Sequence, residues 1–214
     1  GTSPETAALL SNQNFRQALN YGFDRSATVN AVNPGYKAYN RLVDSNFAGP
    51  DGGKFVDEYP VETVPLSGDV DKAKEYLAAA MEELGSSDVS QLPQLELITW
   101  DTSEQKLLLE TIIDQWKQNL GLENIQLTQY VIGTAIGSFY DLSYDLFAIT
   151  WETDVLPTDI MEAMVTGGEV NYGIWSDAQF DSLVEQAINE LEPDKQAELT
   201  AQAEQIFLDN AAIL

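Results

Sequence analysis

Residues 95 to 130 read LELITWDTSEQKLLLETIIDQWKQNLGLENIQLTQY, and no other stretch limits the fold so tightly. LELITW (95–100) and NIQLTQY (124–130) have the alternating apolar pattern of strands. Between them Leu109, Ile112, Ile113, Trp116 and Leu120 fall on one face of a helix, which Gly121 ends. Two strands joined through a helix in one sheet must run parallel, with a right-handed crossover. A third run, YDLFAITW (144–151), is apolar almost throughout, as expected of a strand buried on both faces. The fold class is therefore α/β: a mixed sheet with packed helices.

The flanking segments are mostly helical. In NQNFRQALNYGFDRSATVNAV, Phe15, Ala18, Leu19 and Gly22 share a face, and Asp24 caps a second short helix that runs to Val32. Residues 33–68, broken by Pro34, Pro50, Pro60 and Pro65, read as a long loop. DVDKAKEYLAAAMEELG has helical spacing, with Asp69 or Asp71 as cap and Gly85 as stop. Residues 134–141 read as a short helix, and another follows Pro157. Ser176 and Gln179 form a capping box ahead of the stripe Phe180, Leu183, Val184, Ala187, Ile188 and Leu191. Pro193 opens a last helix that ends near Leu208. Residues 1–214 read as a single domain.

Composition excludes several functions. Ten basic against 35 acidic residues give a net charge of −25, which repels phosphate backbones, so nucleic acid is not an expected partner. The chain has no cysteine and no histidine, which removes disulfides, thiolate metal sites and the commonest general base. No cofactor is expected. No apolar run is long enough to cross a bilayer, so membrane association would need an anchor outside this sequence. The opening Gly1-Thr2 and the end in AAIL, within an apolar run, point to a piece of a longer protein.

The stretch TWETDVLP (150–157) places Trp151 and Asp154 at the end of the third strand. Ligands of open α/β sheets sit beyond the carboxyl ends of the strands, where a fixed carboxylate pairs with a cationic group and a ring walls the pocket. The alternative is structural, with Trp151 in the core and Asp154 capping a helix that begins near Thr158. Trp100 and Asp101 end the first strand in a similar way, with the same two readings, a ligand-facing pair or an aromatic followed by a cap. An enzyme that paired Glu152 with Asp154 would need both at one bond, yet residues two apart in an extended loop point in opposite directions. No enzymatic activity is expected.

FRQALNYGFDRSATVNAV, DVDKAKEYLAAAMEELG, the 95–127 segment, YDLFAITWETDVLP and NYGIWSDAQFDSLVEQA, in that order, resemble the C-terminal lobe of the family 5 extracellular solute-binding proteins. These are the oligopeptide- and dipeptide-binding proteins of ABC importers. The resemblance runs from about residue 12 to 212. It implies a two-lobed receptor with a periplasmic-binding-protein-like fold, of which this chain supplies one lobe. The family motif is a Trp, two variable residues, an Asp, usually a Tyr, and a Pro shortly after. In peptide-binding members its Asp takes the ligand's α-ammonium. Trp151 and Asp154 match; Val155 replaces the Tyr and the loop to Pro157 is one residue shorter, so Glu152 is an alternative carboxylate.

By the same resemblance NYGIWS (171–176) lies at the cleft. Asn171, Tyr172 and Trp175 are then ligand contacts, with Trp175 as core and Ser176 as cap the competing reading. Arg16, Asp24 and Arg25 match the family's RQAL…DR signature and read as an internal ion-pair and capping set. The implied partners are a small peptide or other solute and ABC permease subunits. The implied state is a monomer, extracellular as a cell-surface lipoprotein or periplasmic. A peptide-sensing receptor not coupled to import, or a binding protein for a solute such as an oligosaccharide, remains the alternative.

Overall fold

The structure, a computed structural model, describes residues 1–149, 156–168 and 170–213. In chain order the elements are α1 (Pro4–Ser11), α2 (Gln13–Tyr21), α3 (Arg25–Val32), α4 (Phe55–Glu58), α5 (Val70–Glu83), β1 (Leu95–Trp100), α6 (Ser103–Leu120), β2 (Ile125–Tyr130), α7 (Ile132–Tyr140), β3 (Leu146–Phe147), α8 (Pro157–Ala163), α9 (Ala178–Asn189) and α10 (Pro193–Asp209). They divide into two compact units. The first is Gly1–Tyr39 with Val64–Thr150 and Leu214; the second is Asn40–Thr63 with Trp151–Ile213.

The sheet of the first unit has the order β2-β1-β3. β1 and β2 pair in parallel from Leu95 with Ile125 to Trp100 with Tyr130, as the crossover through α6 requires. β3 also runs parallel, with Leu146 opposite Leu97 and Phe147 opposite Ile98. Where the sequence predicts a mixed sheet, both described pairings are parallel, because a helix intervenes in each connection. The strand expected over 144–151 is shorter, with Thr150 and Trp151 outside the described residues. It starts at Leu146 because Asp145 replaces a main-chain partner with its side chain: Oδ2 accepts the Glu96 N–H at 2.9 Å.

Three helices of this unit follow from their caps and stripes. Thr102 Oγ1 accepts the Gln105 N–H at the start of α6, and Gly121, at φ 72°, closes it in the left-handed conformation. Asp69 caps α5 through the Lys72 N–H at 3.0 Å. α2 packs on α5, and Phe15, Leu19, Leu77, Leu95 and Trp116 meet in one core. There the Trp116 indole N–H donates to the Leu19 carbonyl at 2.8 Å. Asp24 caps α3 as expected, accepting the Ala27 N–H at 2.7 Å. The expected ion pair is corrected for Arg25. Its guanidinium donates to the carbonyl and side chain of Asn20 and lies 4.3 Å from the centre of the Phe23 ring. A neutral amide partner costs less desolvation at this depth than a second buried charge.

In the second unit α8, α9 and α10 pack on one another around Val43, Phe55, Met161, Phe180, Val184 and Phe207. The part of the expected loop that belongs here, 40–63, contains α4 and an antiparallel bridge between Ala48 and Lys54. It is fastened to α10 by a buried ion pair. Arg41 Nε donates to both carboxylate oxygens of Glu204, and its other nitrogens donate to the Val56 and Tyr59 carbonyls at 3.0 and 3.2 Å. Glu204 Oε1 also accepts the Leu42 and Val43 N–H groups, each at 2.9 Å. Two expectations for α9 are corrected. Its N-cap is Asp177, which accepts the Gln179 and Phe180 N–H groups at 2.9 Å, and Ser176 stands outside the helix. Leu191 lies past the end of the helix at Asn189 and is 91% exposed, so it leaves the apolar stripe.

Candidate ligand-binding site

In the first unit the carboxyl edge of the sheet is formed by Trp100 and Tyr130, directly opposite each other in register. Trp100 is half-buried and meets Phe147 edge-on, with ring centres 6.3 Å apart. Phe147 in turn contacts Phe139 of α7 at 4.7 Å and Tyr144 at 5.4 Å. This aromatic cluster fixes the Trp100 ring at the strand end and holds α7 against the sheet. The cap reading of Asp101 is corrected: Thr102 caps α6, while Asp101 is exposed and its N–H donates to the Tyr130 carbonyl at 2.8 Å.

Below this edge lies a buried carboxylate, Asp145. Its Oδ1 accepts the Thr2 N–H at 2.6 Å and the Thr2 hydroxyl at 3.0 Å, while Oδ2 takes Glu96. Burial alone would raise its pKa. The N–H groups of Glu96 and Thr2 and the hydroxyls of Thr6 and Thr2 outweigh burial and hold the carboxyl below its ordinary range. The group is thus a fixed anion that ties the start of α1 to the sheet, with its lone pairs already engaged.

Trp151, Glu152 and Asp154 lie outside the described residues. After them α8 begins with Leu156 as N-cap and Pro157 in its first turn, and the Leu156 N–H donates to Asp159 Oδ2 at 2.9 Å. The N-cap position is two residues beyond Asp154 in the sequence, and among the described residues the side-chain acceptor at the start of α8 is Asp159.

In the second unit Asn171 and Trp175 are joined directly. Asn171 Nδ2 donates to the carbonyls of Met164 (3.2 Å), Val165 (3.0 Å) and Trp175 (2.6 Å), and Oδ1 accepts the Trp175 N–H at 3.1 Å. Its amide is consumed in closing the loop after α8. The Trp175 ring packs edge-on against Phe180 and Phe207, at 5.0 and 5.2 Å, so its described role is in the core of this unit. Tyr172, between them in sequence, is half-buried.

Two features escape sequence reading. Glu204 sits on the inward face of α10 with Ala197, Ala201 and Phe207, and an acidic residue in an apolar stripe was the available sign of a buried partner. Asp145 gives no such sign, because its partners, the N–H groups of Glu96 and Thr2 and the hydroxyls of Thr2 and Thr6, are distant in sequence.

The fold is that of an α/β protein with a parallel sheet, and the comparisons give the family. The profile of the bacterial extracellular solute-binding proteins, family 5 (Middle), matches residues 4–172, and the chain belongs to that family. It is similar to the oligopeptide-binding protein OppA of Bacillus subtilis (strain 168), 28% identical over 207 residues, which cover 95% of this chain and 36% of that protein. The dipeptide-binding protein DppE of the same strain is 26% identical with the same coverage. The chain thus spans about 36% of the length of these relatives. Among solved structures, Listeria monocytogenes OppA bound to peptide matches with a TM-score of 0.82 at 23% identity, over 95% of this chain and 38% of that one. A peptide-binding protein of a peptide ABC transporter matches with a TM-score of 0.83 at 23% identity, over 95% of this chain and 89% of that one.

Proposed function

We propose that this chain supplies one lobe of the substrate-binding component of an ABC importer, a receptor that holds oligopeptides or related solutes in a cleft closed by a second lobe. The observation that carries the reading is membership of family 5 over residues 4–172, with relatives named for oligopeptide and dipeptide binding. The whole of residues 1–214 acts as this lobe, and the second lobe is built from further segments of the same receptor. The protein binds and hands over its ligand without transforming it. Its partners are the peptide and the permease subunits, and it works as a monomer, extracellular as a cell-surface lipoprotein or periplasmic.

In this reading Asp154 takes the α-ammonium of the ligand, Glu152 stands as the second carboxylate, and Trp151 walls the pocket. Trp100 contributes from the strand edge. Tyr172 is a direct contact, whereas Asn171 and Trp175 hold the loop that presents it, consistent with their hydrogen bonds and ring packing. The test is a two-by-two comparison in the completed receptor: wild type and Asp154→Asn, each with a free and an N-acetylated peptide. Removing one member of a desolvated charge pair costs about 2–5 kcal/mol, so the free peptide should bind roughly 30-fold to several thousand-fold more weakly to the variant. The acetylated peptide should bind both alike. Equal affinities throughout would leave Asp154 without this role.

A further inference from the structure

Residues 124–140, NIQLTQYVIGTAIGSFY, contain no charged side chain, in a chain of which 21% is charged. The inner face of α7, Ala135 and Phe139, is buried on the sheet. One exposed row beside that inner face is apolar as well. Ile132, Ile136 and Tyr140, spaced four apart, are 61%, 42% and 74% exposed, and Val131 just before them is 66% exposed. Gly133 and Gly137 lie in the same helix, and a Cβ at either would meet no atom within 4 Å, so the rows beside the isoleucines are open. A contiguous exposed apolar face of this kind marks an interaction surface.

Its position says which. Val131 follows Tyr130, the last residue of β2, and Tyr130 pairs with Trp100, so the face continues from the carboxyl edge of the sheet. That edge is where α/β sheets receive ligands. In a chain of net charge −25 the face offers no cation to pair with an acidic group, and it would strip water from one without compensation. An aliphatic or aromatic side chain loses nothing there and gains burial.

We infer that the face formed by Val131, Ile132, Ile136 and Tyr140 seats an apolar side chain of the bound peptide and selects such peptides over acidic ones of the same length. This rests on the reading of the strand ends as a peptide surface and adds the ligand chemistry they prefer. The test uses the 214-residue chain with isoleucine methyl groups labelled for NMR, titrated into the millimolar range with alanyl-phenylalanyl-alanine or alanyl-aspartyl-alanine. The phenylalanyl peptide should shift the Ile132 and Ile136 methyls and the Trp100 indole, binding at least about tenfold more tightly than the aspartyl peptide. The double variant Ile132→Ser/Ile136→Ser should lose that preference, and Ile188→Ser, an exposed site on α9, should keep it. Equal affinity for both peptides, with Trp100 responding and the two methyls still, would overturn the selectivity and leave peptide binding standing. Silence of Trp100 and both methyls towards either peptide would remove both readings of this edge. Shifts of the same methyls with protein concentration alone would make the face a contact between copies and overturn the inference.

Discussion

Glu204 is wholly buried, and its carboxylate is neutralised by Arg41 and by two main-chain N–H groups, so every charge in the cluster depends on the others. Glu204→Gln leaves the Arg41 guanidinium buried without its counter-ion, and loss of one partner from such a pair costs about 3–5 kcal/mol. Urea unfolding followed by circular dichroism should show the second unit melting earlier, and Arg41→Met/Glu204→Met should recover a large part of the loss. Asp145 provides a pH test. Its folded pKa lies below the unfolded value of about 4, so its stabilisation is present above that value and is lost as pH falls through the folded pKa. Asp145→Asn should therefore be less stable than wild type at pH 7, by about 1–3 kcal/mol for unmet buried donors. The difference in urea midpoint should shrink on acidification below about pH 4. Neither anchor was identified from sequence. Pattern reading detects spacing within an element, and both carboxylates act across more than 40 residues of chain.

At the scale of elements most of the fold was legible. β1, α6 and β2 stand where their periodicity puts them, because propensity, stripe and caps agree there. The disagreements have local causes. α7 starts at Ile132, two residues before the expected 134, because its N-cap is Val131, whose side chain makes no capping hydrogen bond and so marks no start in the sequence. The boundary of α9 was displaced by one residue: SDAQ offers two adjacent capping side chains, and the chain uses the second. Substitution distinguishes them. Asp177→Ala should destabilise by about 0.5–2 kcal/mol, whereas Ser176→Ala should change the thermal midpoint little. Comparable losses at both positions would contradict the assigned cap.

At the scale of the molecule, the family was visible in the order and spacing of segments across the chain, and the profile match over residues 4–172 bears it out. The candidate site was less legible. Trp100 reaches the strand edge, as its place at the end of LELITW suggests, but the amide of Asn171 and the ring of Trp175 turn out to be engaged in their own unit. A polar or aromatic residue near a strand end has the same sequence signature whether it faces ligand or core, and only its partners separate the two. The central claim is that this chain is one lobe of a receptor whose affinity comes from closing two lobes on a peptide. Calorimetry of a peptide mixture against the 214-residue chain and against the receptor completed with its remaining segments tests it most directly. The claim predicts submicromolar binding by the completed receptor and only far weaker binding by the chain alone; submicromolar binding by the chain alone would contradict it.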